Sequence, residues 1–374
     1  MLAAGTFAQT SYSAIWFGIA VMAPALRDRD HLSLAQTGLL LSSSLVGSLV
    51  SLLLWGLATD RMGERIVLVS GLAMCGGALI AAGFAHGFWA LAGLVALAGM
   101  TGASVQSASG RAVLHWFPVR QRGLALAIRQ TAIPISGFLT ALVLPHVGGI
   151  RNGFLLMGIG CLAGAAVGGL VLREAPAGER TTDGPLGLSP LRDKRIWQLS
   201  IGSSLLLAPQ LCVAGFAVLY LHDRRGMSPG GAGAVLAVMQ ALAVAGRISA
   251  GRWSDIRASR LAPLRAIALT VGGLVVLTTV LLDAPLPVLI PVLVVTGALA
   301  MSWNSLSFAA AIELAGRGRS GSAIGLQQTL LNVPSTTYPG LFGALVAATS
   351  WHVGFAAVAV FPLVGWRVLR ALPG

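Results

Sequence analysis

SLVGSLVSLLLWGLATDRMGERIVLVSGLAMCGG, residues 44–77, consists of two apolar stretches joined by a short turn, Asp60 to Arg65, in which four residues carry charge. The first stretch belongs to an apolar run over 34–57 and the second to a run over 66–85. Each is about the length, ~20 residues, that a helix needs to cross hydrocarbon, and neither shows the period-two alternation of a barrel strand. The pattern predicts two membrane-spanning helices, with the charges gathered at the turn where water can reach them.

The same pattern repeats along the chain. Of 374 residues, 56% are hydrophobic and 10% charged, and the mean hydropathy is +0.82; soluble domains carry roughly a quarter charged residues. Apolar runs at 5–26, 34–57, 66–85, 88–116, 123–145, 152–172, 196–221, 228–250, 264–282, 286–312, 322–348 and 352–369 predict an all-α polytopic membrane protein of twelve transmembrane helices. Those helices fill the chain and leave no room for a soluble domain. The first span, with MLAAGTFAQTSYSAIWFGIA at residues 1–20, has no Lys or Arg and no small-residue cleavage site, so it reads as helix 1 and not as a signal peptide. Cys75, Cys161 and Cys212 lie singly in three different spans, without metal or redox spacing, and read as packing residues.

The net charge is +13. Basic residues are spread over loops and not concentrated in a patch or tail, which argues against a nucleic-acid partner. Counted from helix 1, the even loops and the C-terminus hold seventeen Lys and Arg, against five in the odd loops (Arg27, Arg29, Arg151, Arg224 and Arg225). Positive residues favour the cytoplasmic side, so both termini are expected in the cytoplasm, with the chain in the cell (inner) membrane.

The longest connection, 173–195, is rich in Pro, Gly and charge and divides the chain into an N-terminal six-helix bundle, 1–172, and a C-terminal one, 196–374. The halves share sequence. RGLALAIRQT at 122–131 aligns with SGSAIGLQQT at 320–329, and GLATDR at 56–61 with GRWSDI at 251–256, keeping Gly-x-x-x-Asp as Gly56/Asp60 and Gly251/Asp255. The offsets, 198 and 195, nearly agree, which points to duplication and to two pseudo-symmetric halves.

The stretch GLATDRMGER, with Gly56, Asp60, Arg61, Gly63 and Arg65, resembles the signature loop of the major facilitator superfamily. Twelve spans, a central linker and a degenerate second copy ending in Asp255 resemble it too, over essentially the whole chain. Glu64 departs from the usual basic residue, and the second copy lacks both the Arg after Asp255 and the following Gly. The resemblance implies transport by alternating access, with these loops gating the cytoplasmic side. Physically, Asp60 ends a helix whose C-terminal dipole is negative, so it needs a positive partner: Arg61, Arg65 or another helix's N-terminus.

All twelve acidic residues lie in loops or near span ends, which argues against cation carriage and against proton coupling through a buried carboxylate. Arg111 and Arg129, by contrast, enter spans 4 and 5 from the same side, each roughly 10 Å deep at about 1.5 Å per residue. Two guanidiniums facing one cavity without a local acid would attract an anion, and the planar fork of Arg suits carboxylate-like groups. Snorkelling, or bonding to carbonyls of other helices, is the structural alternative for Arg111. Arg247, two turns before Asp255, reads as a structural bridge near the loop.

Uncharged polar residues mark the expected path. Gln9, Ser13 and Trp16 share one face of helix 1, with Tyr12 at its border. Gln130, Gln210, Asn304, Gln327 and Asn332 lie in spans 5, 7, 10 and 11, where Pro134, Pro334 and Pro339 permit bending. No phosphate-binding loop, catalytic constellation or metal-ligand cluster occurs, so neither an enzyme nor a bound cofactor or metal is expected. The expected activity is secondary transport of a small solute, an organic or inorganic anion, coupled to a proton or a counter-anion. RGLALAIRQT is similar to the helix 5 start of cyanate-permease and small-carboxylate carriers. The alternative is a drug or metabolite exporter with a neutral or aromatic substrate, for which Trp16 and Trp303 would suit.

Overall fold

The computed structural model describes residues 1–32, 34–172, 189–316 and 319–372. Most of the expected linker, 173–188, lies outside the described residues. Every regular element among the described residues is helical. In chain order these are α1 (Leu2–Asp30), α2 (Leu34–Met62), α3 (Glu64–Ala82), α4 (Phe88–Gly102), α5 (Ser104–Trp116), α6 (Arg122–Gln130), α7 (Ala132–Val143), α8 (Ile150–Val171), the single turn α9 (Ser189–Arg192), α10 (Lys194–Asp223), α11 (Pro229–Ile256), α12 (Leu261–Val280), α13 (Leu286–Ala300), α14 (Asn304–Ala315), α15 (Ser320–Ala348) and α16 (Trp351–Arg370).

Each expected span coincides with one helix or with two consecutive ones. Spans 4, 5 and 10 are broken, into α4/α5, α6/α7 and α13/α14. The break in span 5 follows from Pro134, which has no N–H to offer the Gln130 carbonyl but fits the first turn of a new helix. Span 4 breaks at Ala103, next to Gly102; the Met100 carbonyl is satisfied from α2, accepting from Ser51 Oγ and Trp55 Nε1, both at 2.7 Å. Irregular backbone at membrane depth needs such partners. Span 10 breaks over Met301–Trp303, and there Arg247 of α11 donates through Nε to the Met301 carbonyl at 2.8 Å. Arg247 therefore caps the C-terminal end of α13, where a cation complements the helix dipole. Arg247 ties α11 to a neighbouring helix.

Nine helical stretches among the described residues are long and apolar enough to cross a membrane. Those that fall short are α1, α6/α7 and α15. The span made of α6 and α7 is cut by its break, while α1 and α15 carry the polar residues expected along the path. Large apolar side chains face outward, with Trp89 83% exposed and Leu170 85% exposed. Such an exterior suits lipid and not water.

The chain forms two compact units. The first comprises Met1–Pro118, Ile128–Arg192 and Ala315–Thr329; the second comprises Val119–Ala127, Asp193–Leu314 and Leu330–Gly374. The core of the first includes Tyr12, Ile15, Leu68, Leu72 and Phe154; that of the second includes Val213, Leu264, Leu293, Trp303 and Phe355. The boundary cuts α6 and α15, so the start of each is grouped with the helices of the opposite sequence repeat.

The backbone carries its own trace of duplication. Left-handed φ angles occur at His31 (52°) and Gly226 (66°), and at Gly63 (88°) and Ala258 (49°), each pair 195 residues apart. Gly63 adopts this conformation at no steric cost. Ala258 adopts it with a Cβ present, which costs ~1–2 kcal/mol. A positive φ therefore recurs at the equivalent position without a glycine, while Gly63 itself combines it with an extended ψ of 164°.

Candidate functional site

In the first unit, polar side chains from α1, α5 and α6 converge. Arg129, 2% exposed, donates from Nε to Ser109 Oγ at 2.7 Å. Its Nη2 donates to Gln9 Oε1 at 3.2 Å, to Gln106 Oε1 at 3.0 Å and to the Gln106 carbonyl at 3.1 Å. Gln9 Nε2 donates in turn to Ser13 Oγ at 3.3 Å, which brings Ser13 into the group. The hydrogen-bond partners of Arg129 among the described residues are all neutral. A buried cation without a counter-charge is costly, because neutral dipoles replace only part of its lost hydration. A crevice of about 10 Å³, lined by Gly5, Ser109, Val113 and Arg129 among others, gives roughly one water-sized space beside the guanidinium.

Arg111 has different surroundings. Its Nη1 donates to Asp60 Oδ1 at 2.9 Å and to the Thr59 carbonyl at 2.8 Å, and its Nε lies 3.7 Å from Glu64 Oε2. The expectation that Arg111 and Arg129 face one cavity without a local acid is therefore corrected for Arg111. Two carboxylates hold it, all three side chains are at most 6% exposed, and an approaching anion would be repelled. Sequence separation hid this, because Asp60 precedes Arg111 by 51 residues.

The two Gly-x-x-x-Asp motifs end up in matching arrangements. Asp60 Oδ1 accepts from the Gly321 amide at 2.9 Å, and Oδ2 from the Ser322 amide at 2.8 Å, at the start of α15. Asp255 Oδ1 accepts from Gly123 at 3.0 Å, and Oδ2 from Leu124 at 2.9 Å, at the start of α6. A carboxylate on free N-terminal amides meets both unsatisfied donors and the positive end of the helix dipole. Of the partners offered for Asp60 by the sequence, the helix N-terminus is the one observed; Arg61 and Arg65 are exposed. The glycines permit the approach: an added Cβ would lie 2.5 Å from the Gly321 carbonyl oxygen at Gly56, and 2.6 Å from the Gly123 carbonyl oxygen at Gly251.

The cations of these clusters come from different places. Arg111 of α5 serves Asp60. Asp255 is served by Arg260, which precedes α12 and also donates to Ser254 Oγ and to Glu313 Oε1, both at 2.8 Å.

Other expected site residues are distributed as follows. Gln130 ends α6, buried, and Gln327 is fully buried in the part of α15 that belongs to the first unit. Trp16 stacks edge-on against Tyr12 with ring centroids 5.3 Å apart, and its buried Nε1 has no partner among the described residues. Gln210, Asn304 and Asn332 belong to the second unit. There Gln210 Oε1, Asn304 Oδ1 and Trp303 Nε1 are buried without partners among the described residues, and Asn332 is half-buried. The sequence reading missed Gln106 and Ser109 on α5, the second half of span 4, Glu64 as a buried partner, and Arg260 with Glu313. Gln106 and Ser109 carried a signal: spaced i, i+3, they share one helical face.

A sequence profile of the Major Facilitator Superfamily matches residues 5–337. An uncharacterized MFS-type transporter of Mycobacterium tuberculosis (strain CDC 1551 / Oshkosh) is 33% identical over 362 residues, covering 95% of this chain and 81% of that protein. A hexuronate transporter of Bacillus subtilis (strain 168) is 29% identical over 136 residues, covering 36% of this chain and 32% of that protein. Among solved structures, the E. coli fucose:proton symporter FucP aligns with a TM-score of 0.76 at 14% identity, over 97% of each chain, a likeness of fold alone. The profile match and the full-length relative agree with the helical architecture, and the chain belongs to the Major Facilitator Superfamily: it is a multi-pass integral membrane transporter and not an enzyme.

Proposed function

We propose that the protein is a secondary carrier of a small organic or inorganic anion, and that Arg129 supplies the charge that attracts it. The supporting observation is the burial of Arg129 among Ser109, Gln106 and Gln9, all neutral. An anion carrying a carboxylate, accepting from the guanidinium fork, would complete the charge balance that these partners leave open. The partial match to a hexuronate transporter, named for a sugar acid, favours the same class. In this proposal Gln130, Ser13, Trp16, Gln210, Asn304, Gln327 and Asn332 line the path, and the Asp60 and Asp255 clusters latch the even-loop ends of the helices during alternating access. The halves that rock are 1–172 and 196–374, joined by 173–195. The excess of basic residues in even loops supports a cell (inner) membrane protein with both termini in the cytoplasm. The driving partner is a proton or a counter-anion.

A second reading, export of a neutral or aromatic solute, is favoured by the buried, unpartnered indole N–H groups of Trp16 and Trp303. Purified protein in proteoliposomes separates the two. Labelled hexuronate and small mono- and dicarboxylates are offered with an imposed pH gradient, or to vesicles preloaded with unlabelled anion, beside neutral aromatic solutes. Saturable anion uptake with counterflow, lost in Arg129→Gln, supports anion transport. Uptake of neutral aromatics alone, unchanged by that substitution, overturns it in favour of the exporter.

A further inference from the structure

The second unit holds two pockets that the transport reading does not use, one polar and one apolar. The polar pocket, about 270 Å³, gathers Asp223, Arg224 and Arg225 from the end of α10, Asp283 from the turn between α12 and α13, and Trp351 and His352 from the start of α16. The apolar pocket, about 190 Å³, lies between α10, α15 and α16, and its lining includes Cys212, Leu341, Phe342, Val358 and Phe361. Leu341 is 66% exposed, so this pocket opens on the outside of the spans, where a bilayer supplies hydrocarbon.

The two pockets adjoin. Phe342 lines the apolar one and Trp351 the polar one, and their ring centroids are 6.2 Å apart. Tyr220, which also lines the polar pocket, packs edge-on against Trp351 at 5.1 Å. Along α16, His352 and Gly354 line different pockets but are only two residues apart, about 3 Å of helical rise. A Trp and a Tyr between a polar and an apolar space sit where such rings settle beside lipid headgroups.

The polar lining carries both signs of charge. His352 Nε2 lies 3.3 Å from Asp283 Oδ2. Arg225 is engaged, donating to the Leu282 and Ala284 carbonyls, while Tyr220 Oη donates to the Leu282 carbonyl at 2.6 Å; together they fix the turn that carries Asp283. Arg224 is exposed and has no side-chain hydrogen bond or ion pair among the described residues. A free anion would meet two carboxylates here, and a free cation two guanidiniums. A group that holds a phosphate and an ammonium side by side finds an opposite charge for each. The first-turn amides of α16 add donors suited to phosphate oxygens.

We infer that the paired pockets are a phospholipid site. The polar pocket takes a zwitterionic headgroup, its phosphate on Arg224 and its primary ammonium on Asp283, and the apolar pocket takes part of an acyl chain. An apolar cavity of about 150 Å³ already holds a benzene. The lipid belongs to the leaflet at the odd-loop face. This inference rests on the chain spanning a bilayer and not on the substrate being an anion.

Native mass spectrometry of the full-length protein, delipidated in detergent and then titrated, counts the lipid bound. The probes are phosphatidylethanolamine, phosphatidylglycerol with the same chains, and glycerophosphoethanolamine, which is the first headgroup without chains. One phosphatidylethanolamine should bind about tenfold more tightly than phosphatidylglycerol, and the soluble headgroup should not displace it at equal concentration. Arg224→Gln with Asp283→Asn should erase the preference, a loss of about tenfold, in the range of charge-assisted hydrogen bonds. Both positions are exposed, so the fold should be kept, which thermal unfolding checks. Ala357→Phe, which fills the apolar pocket, should weaken both phospholipids about tenfold and leave the preference between them. If Ala357→Phe lowers the unfolding temperature, Leu341→Asn, at an exposed position of the same pocket, takes its place with the same expectation. Equal affinity for the two phospholipids in the wild type, or a preference that survives the double variant, overturns the headgroup site. Soluble headgroup bound as tightly as the lipid, or lipid binding unchanged by the apolar-pocket variant, overturns a phospholipid as the occupant. Anion uptake can fail with all these results intact, so this inference and the transport reading fall separately.

Discussion

Arg111 and Arg129 look alike in the sequence and differ in the structure. Both are buried guanidiniums, entering adjacent spans from the same end at similar depth. Arg111 has two carboxylates beside it and Arg129 has none among its hydrogen-bond partners. A buried ion pair consumes its own charge, whereas a buried cation held by neutral dipoles keeps a charge available to a visitor. The position of a cation in a span therefore says less about its role than whether an acid has already claimed it.

The difference has opposite consequences for stability. Arg111→Gln should cost about 3–5 kcal/mol, since it breaks the buried Arg111–Asp60 ion pair. Arg129→Gln should leave stability unchanged or raise it, since it removes an uncompensated charge from a site shaped for function, as active-site substitutions often do. Thermal unfolding of both variants in one detergent checks this; equal losses would erase the distinction between the two arginines.

Smaller effects should sharpen the picture of the latches. Gly56→Val and Gly251→Val drive a side chain into a neighbouring backbone carbonyl and should each destabilise by about 1–3 kcal/mol. In hydrogen–deuterium exchange each should loosen only its own cluster, the first at Gly321 and Ser322, the second at Gly123 and Leu124. Loosening of both by either substitution would argue against two separable latches. The smallest effect is at the turns. Gly63→Ala should cost about 1 kcal/mol or more, because φ 88° with ψ 164° is an essentially glycine-only conformation, and Ala258→Gly should gain a few tenths to about 1 kcal/mol, because relief of left-handed strain is partly offset by a more flexible unfolded chain. Calorimetry or chemical denaturation of the pair checks this, and a destabilised Ala258→Gly would contradict the strain at that turn.

Much of the fold was legible because membrane-crossing helices declare themselves by length and apolarity. The run read as 196–221 forms Lys194–Asp223, and that read as 264–282 forms Leu261–Val280. Pro134 announced the weak point of span 5 by its missing N–H. The breaks at Ala103 and at Met301–Trp303 were not legible, because neither holds a proline. They depend on Ser51, Trp55 and Arg247 arriving from other helices to satisfy freed carbonyls.

The site was legible in part. Arg129 and Ser13 fall into one polar group, and Asp60 and Asp255 both find helix N-termini, as their positions at helix C-termini require. The pairing of Arg111 was hidden for the reason that makes it informative: Glu64 breaks the familiar motif, and its compensation sits on another helix. A substitution that departs from a motif signals that a partner has moved, but not where it has gone.

The most direct test of the account is thermal stabilisation of the purified protein by a panel of small carboxylates, cyanate and nitrate with matched neutral analogues, in wild type and Arg129→Gln. The account predicts that at least one anion raises the unfolding temperature of the wild type, that its neutral analogue does not, and that the effect vanishes in Arg129→Gln. Stabilisation of both proteins by the same anion, or of neither by any anion, would contradict the role given to Arg129.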